Sequence, residues 1–194
     1  MGAAMNPIDM PDARRRRKGR LQLLLVVLIA FAPMVLATCM YVFGFWVPES
    51  RSYHGYLIGN GQGRMDLGVS AGERRWQLLV SAPGRCETTC QQLVYLARQV
   101  QIGLGRDAAR ASHALAGAQP LDAEYAAKLN REYPRLLRYP LDLSRYRTLA
   151  PDLQTPYLWI IDPHGNLVLR YDANVNGKDL LEDLRRLLTL SNIG

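Results

Sequence analysis

The sequence predicts an α/β domain, a mixed sheet flanked by helices, preceded by a single N-terminal transmembrane helix. Three observations carry this prediction. An uncharged apolar run lies near the N-terminus. Beyond it, short apolar strands alternate with helical patterns, the mark of an α/β sandwich. Near the C-terminus two strands meet across a tight turn and close the alternation with a hairpin. The chain has 194 residues, room for one folded domain and its appendages at roughly 100–200 residues per domain.

The apolar run, LQLLLVVLIAFAPMVLATCMYVFGFWV, occupies Leu21 to Val47 and contains no charge in 27 residues. About 20 such residues span a bilayer as a helix. A buried core helix would show a polar stripe, and this run has none. Pro33 is expected to kink the helix, and Tyr41, Phe45 and Trp46 suit the membrane–water interface. Arg14 to Lys18 are five successive basic residues before the run, whereas Pro48-Glu49-Ser50-Arg51 follow it. The positive-inside rule then puts the N-terminus in the cytoplasm and the rest outside it, which means periplasm or outer surface in a bacterium and the intermembrane space in an organelle. The expectation is a single-pass protein of the bacterial inner membrane with a periplasmic C-terminal domain. A cleaved signal peptide would have a shorter apolar core, of about 7–15 residues. Leu36-Ala37-Thr38-Cys39 has the outline of a lipoprotein cleavage box, but Thr38 suits it poorly and apolar Met40 to Phe43 follow. The expectation is an uncleaved anchor, with Cys39 packed inside it.

The formal net charge is +7. Residues 1–20 hold six basic and two acidic residues, and the remainder is nearly balanced, with 18 basic against 15 acidic. The basic excess is thus a tail beside an apolar run. Its partner is the lipid bilayer, and no nucleic acid is expected. The expected organisation is a basic cytoplasmic tail (1–20), a transmembrane anchor (21–47), a tether with a loop-rich lead-in (48–75) and the folded domain (76–194).

Within the lead-in, six glycines from Gly55 to Gly72 favour loops, with a short strand near Tyr56–Ile58. Trp76–Val80 reads as a compact apolar strand, broken by Ser81-Ala82-Pro83-Gly84-Arg85. Cys86-Glu87-Thr88-Thr89-Cys90 opens a helix that runs to about Ile102, because Leu93, Leu96, Ala97 and Val100 recur at helical spacing. Gly103 and Gly105 end it. Residues 110–117 form a weaker strand. Asp122 to Arg131 reads as a helix limited by Pro134 and Pro140. Tyr157–Ile161 is continuously apolar, as in strands buried on both faces. Asp162 to Asn166 is a turn and Leu167–Tyr171 the returning strand. Asn176 caps a last helix with Leu180, Leu181, Leu184, Leu187 and Leu188 on one apolar face.

This order, with a cysteine pair at the first strand-to-helix turn, resembles the thioredoxin superfamily. Thr155-Pro156 stands directly before the buried strand, where that fold carries a cis-proline facing the cysteines. Asp162-Pro163-His164-Gly165 is similar to the Asp-Pro-x-Gly turn of its closing hairpin. The three-residue gap between the cysteines, the single anchor and the exported domain resemble the Sco/SenC proteins, membrane-tethered factors that help build the copper site of cytochrome c oxidase. The fragment CETTCQQLVYLARQVQIGLG, Cys86–Gly105, is also similar to small anchored proteins associated with bacterial cytochrome oxidase operons. The resemblance implies an oxidase subunit or another copper-assembly factor as partner, and Cu(I) as a candidate cofactor. It also departs at one point. Sco proteins bind copper through two Cys and a His shortly before the buried strand, and that His position holds Gln154. His54, His113 and His164 stand elsewhere. His164 reads as a solvated turn residue, His113 as a strand residue and His54 as a polar residue following the anchor.

Cys86 and Cys90, four residues apart, would share one helix face with Cα atoms roughly 6 Å apart, within disulfide range. The helix N-terminus and Arg85 favour a thiolate at Cys86, and Glu87 opposes it. Two chemistries fit such a pair. Cys86 can attack a partner disulfide while Cys90 resolves the intermediate and Pro156 supports them. Alternatively, the two thiolates can hold Cu(I), with the third ligand supplied from elsewhere. A static disulfide is the remaining alternative, although so small a loop constrains the unfolded chain little. The expected function is assistance in cytochrome c oxidase assembly by thiol–disulfide exchange at a copper site or transient Cu(I) handling. Against it stand a general membrane-anchored thiol–disulfide oxidoreductase and a non-catalytic assembly scaffold.

Overall fold

A computed structural model of the chain describes residues 12–43, 53–59, 61–70, 72–150 and 152–191. Residues 1–11, Phe45, Trp46, the Pro48–Arg51 flank and the Tyr41 side chain lie outside the described residues, so the expectations placed on them are not addressed. The chain divides into two compact units, Met1–Ser50 and Arg51–Gly194.

In the first unit, helix α1 spans Asp12–Phe43 and carries Pro33 within it. Its stretch Arg20–Met40, 21 residues, is long and apolar enough to cross a membrane. At 1.5 Å per residue it measures about 31 Å, against roughly 30 Å of bilayer hydrocarbon. The Thr38 hydroxyl donates to the Met34 carbonyl at 2.8 Å, so this polar group is satisfied inside the helix.

The second unit is built on six strands: β1 (Tyr56–Leu57), β2 (Trp76–Ala82), β3 (Ala111–Gly117), β4 (Leu137–Pro140), β5 (Tyr157–Ile161) and β6 (Leu167–Tyr171). They lie in the order β1-β6-β5-β2-β3-β4. The βαβ crossover of β2, helix α2 (Thr88–Gly103) and β3 makes the central pair parallel; the hairpin makes β5 antiparallel to β6, and β5 also pairs antiparallel with β2. This is the mixed, helix-flanked sheet the alternation predicts. Helix α3 is Ala123–Glu132, α4 the single turn Leu143–Tyr146, and α5 Gly177–Leu190.

Each helix begins or ends for a visible reason. Asp122 caps α3 by accepting the Glu124 N–H at 2.9 Å, and Asn176 caps α5 by accepting the Lys178 N–H at 3.0 Å. Helix α2 closes at Leu104, after which Gly105 adopts φ +62° and a 3₁₀ turn, Gly105–Arg110, leads into β3. Sequence periodicity missed β4 and α4. Four residues carrying Arg138 and ending in Pro140 give no alternation strong enough to read.

The two faces of the sheet are covered differently. Leu78, Val80, Leu158, Ile160 and Leu169 meet α2, α3 and α5 in one core cluster. Leu79, Ala114, Trp159 and Ile161 meet Leu67, Val69, Leu141 and Tyr146 in the other, so loops and one helical turn cover that face. The lead-in is therefore more than a tether: Leu67 and Val69 are fully buried. At Gly68, φ is +83° and a Cβ would run into the Asp142 backbone, which a side chain there would have to displace. On the same face Ser81 Oγ lies 2.8 Å from the Tyr146 hydroxyl and accepts from Trp159 Nε1 at 2.8 Å. This pairs the polar atoms that burial would otherwise strand.

Candidate redox site

Strand β2 delivers the chain to the site. It ends at Ala82, and Arg85, Cys86 and Glu87 form the turn into α2. The Glu87 N–H donates to the Arg85 carbonyl at 2.9 Å, and the first helical bond runs from Gln91 N–H to the Glu87 carbonyl at 2.9 Å. Cys86 therefore precedes the helix, and Cys90 stands in its first turn. This corrects the expectation that both cysteines lie on one helical face. The tight turn at Arg85–Glu87 shortens the approach, and the Cα atoms stand 5.0 Å apart, bridged by a disulfide.

The two sulfurs are not equivalent. Cys90 is 2% exposed, packed with Leu93 and Val94 in the helix-covered core, whereas Cys86 is half-buried. Glu87 occupies the cap position with no side-chain cap bond, and no acidic residue stands in the first turn of α2. The unpaired N–H groups at this helix start favour a thiolate once the bridge is reduced. Gln91 Nε2 donates to the Cys86 carbonyl at 3.2 Å and steadies the turn.

Pro156 reaches the same end of the sheet. Antiparallel pairing sets Tyr157 opposite Ser81, so Pro156 stands one step beyond, beside the end of β2. The Thr155–Pro156 bond is trans, as are all peptide bonds among the described residues. The cis-proline implied by the resemblance is thus not seen here, and trans is the form an X–Pro bond intrinsically prefers. In sheets of this kind, ligands are met outside the carboxyl ends of the parallel strands. The cysteines and Pro156 both stand there.

Gln154 is exposed and its N–H donates to Asp152 Oδ1 at 2.8 Å. Among the described residues no three His, Cys, Asp or Glu side chains are grouped to hold a metal. Two cysteines and an exposed amide do not fit a self-sufficient three-ligand copper centre. His164 is exposed in the hairpin turn, as expected, with Asp162 accepting its N–H at 2.9 Å. His54 and His113 are tied to residues that periodicity did not single out. His54 Nδ1 lies 3.0 Å from Asp183 Oδ1, and its backbone N–H donates to Asp183 Oδ2 at 2.8 Å. Asp183, 1% exposed, also accepts from the Gly55 N–H and from the Tyr171 hydroxyl, at 3.2 and 2.7 Å. The hydrogen bond to this carboxylate raises the His54 pKa. A charged residue on the leucine face of α5 is the signal that could have found this clasp.

An apolar helix before a thioredoxin-like domain with a cysteine pair at its first βα turn defines the class of protein. Residues 76–191 match the family described as transmembrane-like, thioredoxin-like, C-terminal domain, and the chain belongs to it. Residues 11–44 match the companion transmembrane-like, N-terminal domain. No protein of curated function matches the sequence. Among solved structures, the chain is similar to copper-bound ScoI of Arabidopsis thaliana at 10% identity and TM-score 0.48, covering 61% of this chain and 86% of that one. It is also similar to copper-bound ScoI of Bradyrhizobium japonicum at 19% identity and TM-score 0.43, covering 58% and 84%. A thiol:disulfide interchange protein from Bacteroides sp. aligns at 9% identity and TM-score 0.42, covering 70% and 90%.

Proposed function

We propose that the chain is a membrane-tethered thiol–disulfide exchange protein whose domain faces the periplasm and which serves cytochrome c oxidase assembly. The observation that carries the exchange chemistry is the unequal burial of a bridged pair at a helix start: a half-buried Cys86 joined to a core-packed Cys90. In the reduced protein the Cys86 thiolate attacks one sulfur of a partner disulfide, and the partner's other sulfur leaves as a thiolate. The Cys90 thiolate then attacks Cys86 Sγ, which releases the partner's second thiolate and restores the internal disulfide. Two electrons pass from this chain to the partner. Pro156, beside the end of β2, borders the surface where the partner chain would lie.

The oxidase, and the copper site at which the thiols would be kept reduced, are proposed from the resemblance of the cysteine spacing and the anchor to the Sco/SenC proteins. No step is routed through copper. A Cu(I) ion handed between proteins would be cargo, and its third ligand would come from the partner. The test uses the full chain in a strain lacking it. Cys90→Ser should accumulate a mixed disulfide at Cys86 with an oxidase-assembly partner, and Cys86→Ser should abolish it. Restoration of oxidase assembly by the Cys86→Ser, Cys90→Ser double variant would leave a docking scaffold instead.

A further inference from the structure

A cavity lies toward the other end of α2. It encloses about 240 Å³ between α2, β3 and the segment after α3, lined among others by Arg98, Gln101, Ile102, His113, Tyr133 and Arg135. Gln101 stands 11 residues beyond Cys90 in the same helix, about 16 Å along its axis. This place is separate from the cysteines and owes nothing to the exchange chemistry.

The polar groups here fix one another's roles. Gln101 Nε2 donates to the Ala108 and Ala111 carbonyls, at 3.3 and 2.6 Å. The Gln101 amide oxygen is therefore the atom turned to His113 Nδ1, and Nδ1 must carry the hydrogen that it accepts. The neutral ring then has a bare lone pair on Nε2. His113 is 3% exposed, and its Nε2 is buried with no hydrogen-bond partner among the described residues. Native structures seldom leave such an atom without a use.

The surroundings decide what the lone pair would meet. Arg98 of α2 sits 4.8 Å from the centre of the Tyr133 ring, and Arg135 lines the cavity from the segment after α3. Arg75, ahead of β2, adds positive charge that His113 feels, though it is paired with Glu73 at 2.8 Å. Among the described residues no carboxylate lines the cavity, although Glu132, paired with Arg131, is near enough to feel the Arg98 charge. Desolvation first, then Arg98 and Arg75, lower the His113 pKa from 6.5 to about 4. A cation is disfavoured in such a place. An anion is favoured by the charge, and it would supply the counter-charge that His113 needs once protonated.

We propose that this cavity binds a small organic carboxylate, its carboxylate held by the Arg98 and Arg135 guanidiniums and by a protonated His113 Nε2, its short hydrocarbon part against Ile102 and Tyr133. The volume is below the roughly 300–1,000 Å³ of clefts for drug-sized ligands, so the occupant is small. Planar guanidinium groups match a carboxylate by paired hydrogen bonds. On binding, one proton moves from solvent to the Nε2 lone pair, and Nδ1–H stays on Gln101.

The experiment titrates the full chain, in phospholipid nanodiscs, with butyrate, following the imidazole nitrogens by NMR. The chain has three histidines, and His54→Gln and His164→Gln assign the spectrum. Saturable butyrate binding should move the His113 Nε2 signal from the lone-pair to the protonated position. Where butyrate is ionised, the dissociation constant should rise about tenfold per pH unit up to the raised His113 pKa of the complex, as uptake of one proton requires. The Arg98→Gln, Arg135→Gln double variant should weaken butyrate at least about tenfold with an unchanged melting temperature. A flat titration of the native chain overturns the proposal without any variant, and so does pH-independent binding. Butanol or inorganic phosphate binding as tightly as butyrate overturns it as well.

Discussion

The two ends of α2 belong to one helix and are built on opposite principles. At the N-terminal end, Cys90 is held to Cys86 by a covalent bond that a thiol can open and close. At the C-terminal end, Gln101 ties the helix to the 3₁₀ turn and to β3 through three side-chain hydrogen bonds. This second end holds the βα crossover in place. The proposed exchange would thus act at one terminus of a helix that is fastened at the other.

The largest expected effect that tests this contrast is at the fastened end. Gln101→Leu strands the His113 Nδ1–H in the core and removes the side-chain donor of the Ala108 and Ala111 carbonyls, and should cost about 3 kcal/mol in chemical denaturation of the intact chain. Reduction of the disulfide comes next. The bridge closes a loop with a sequence separation of 4, for which chain entropy assigns about 2 kcal/mol. Reduction should therefore lower the melting temperature without altering the circular dichroism of the folded state. A loss larger than that of Gln101→Leu would reverse the assignment of roles.

Two histidines sharpen the comparison through pH, with opposite signs. His113 has a folded pKa of about 4, below its ordinary 6.5. Its neutral form contributes stability above pH 6.5, and that contribution is lost as pH falls from 6.5 toward 4. His54 has a raised folded pKa. Its clasp on Asp183 is at full strength below pH 6.5 and is lost as pH rises through the folded value. Thermal melts should therefore show an acid loss that His113→Gln removes and a smaller alkaline loss that His54→Gln removes. The smallest effect is at the helix start. Glu87 makes no cap bond, so Glu87→Ser should add about 0.5–1 kcal/mol. Removing that charge should also lower the pKa of the reduced Cys86, read from the pH dependence of its alkylation.

The same contrast explains what the sequence discloses. The cysteine pair is local: two residues four apart after a broken apolar strand announce their own proximity. Trp76–Ala82, Tyr157–Ile161 and Leu167–Tyr171 are legible for the same reason, each being a short apolar run bounded by turn residues. The His113 cavity is not local. Gln101 and His113 meet only after the chain has crossed over and paired β3 with β2, and in sequence each is an ordinary residue of its own element. Asp183 is hidden likewise, because its four donors come from residues 54, 55 and 171. Cys86 shows a finer limit. Spacing placed it inside the helix, and one bond between Glu87 and Arg85 moved it out.

The margins of the sheet carry a last consequence. On one side β1 is only two residues long, and on the other β4 ends in Pro140, which has no N–H to offer a neighbour. Neither border is a template on which a second chain could extend the ladder. For a molecule anchored in a bilayer, where copies meet at high local density, stunted borders of this kind, one of them also carrying the exposed Arg138, oppose clumping.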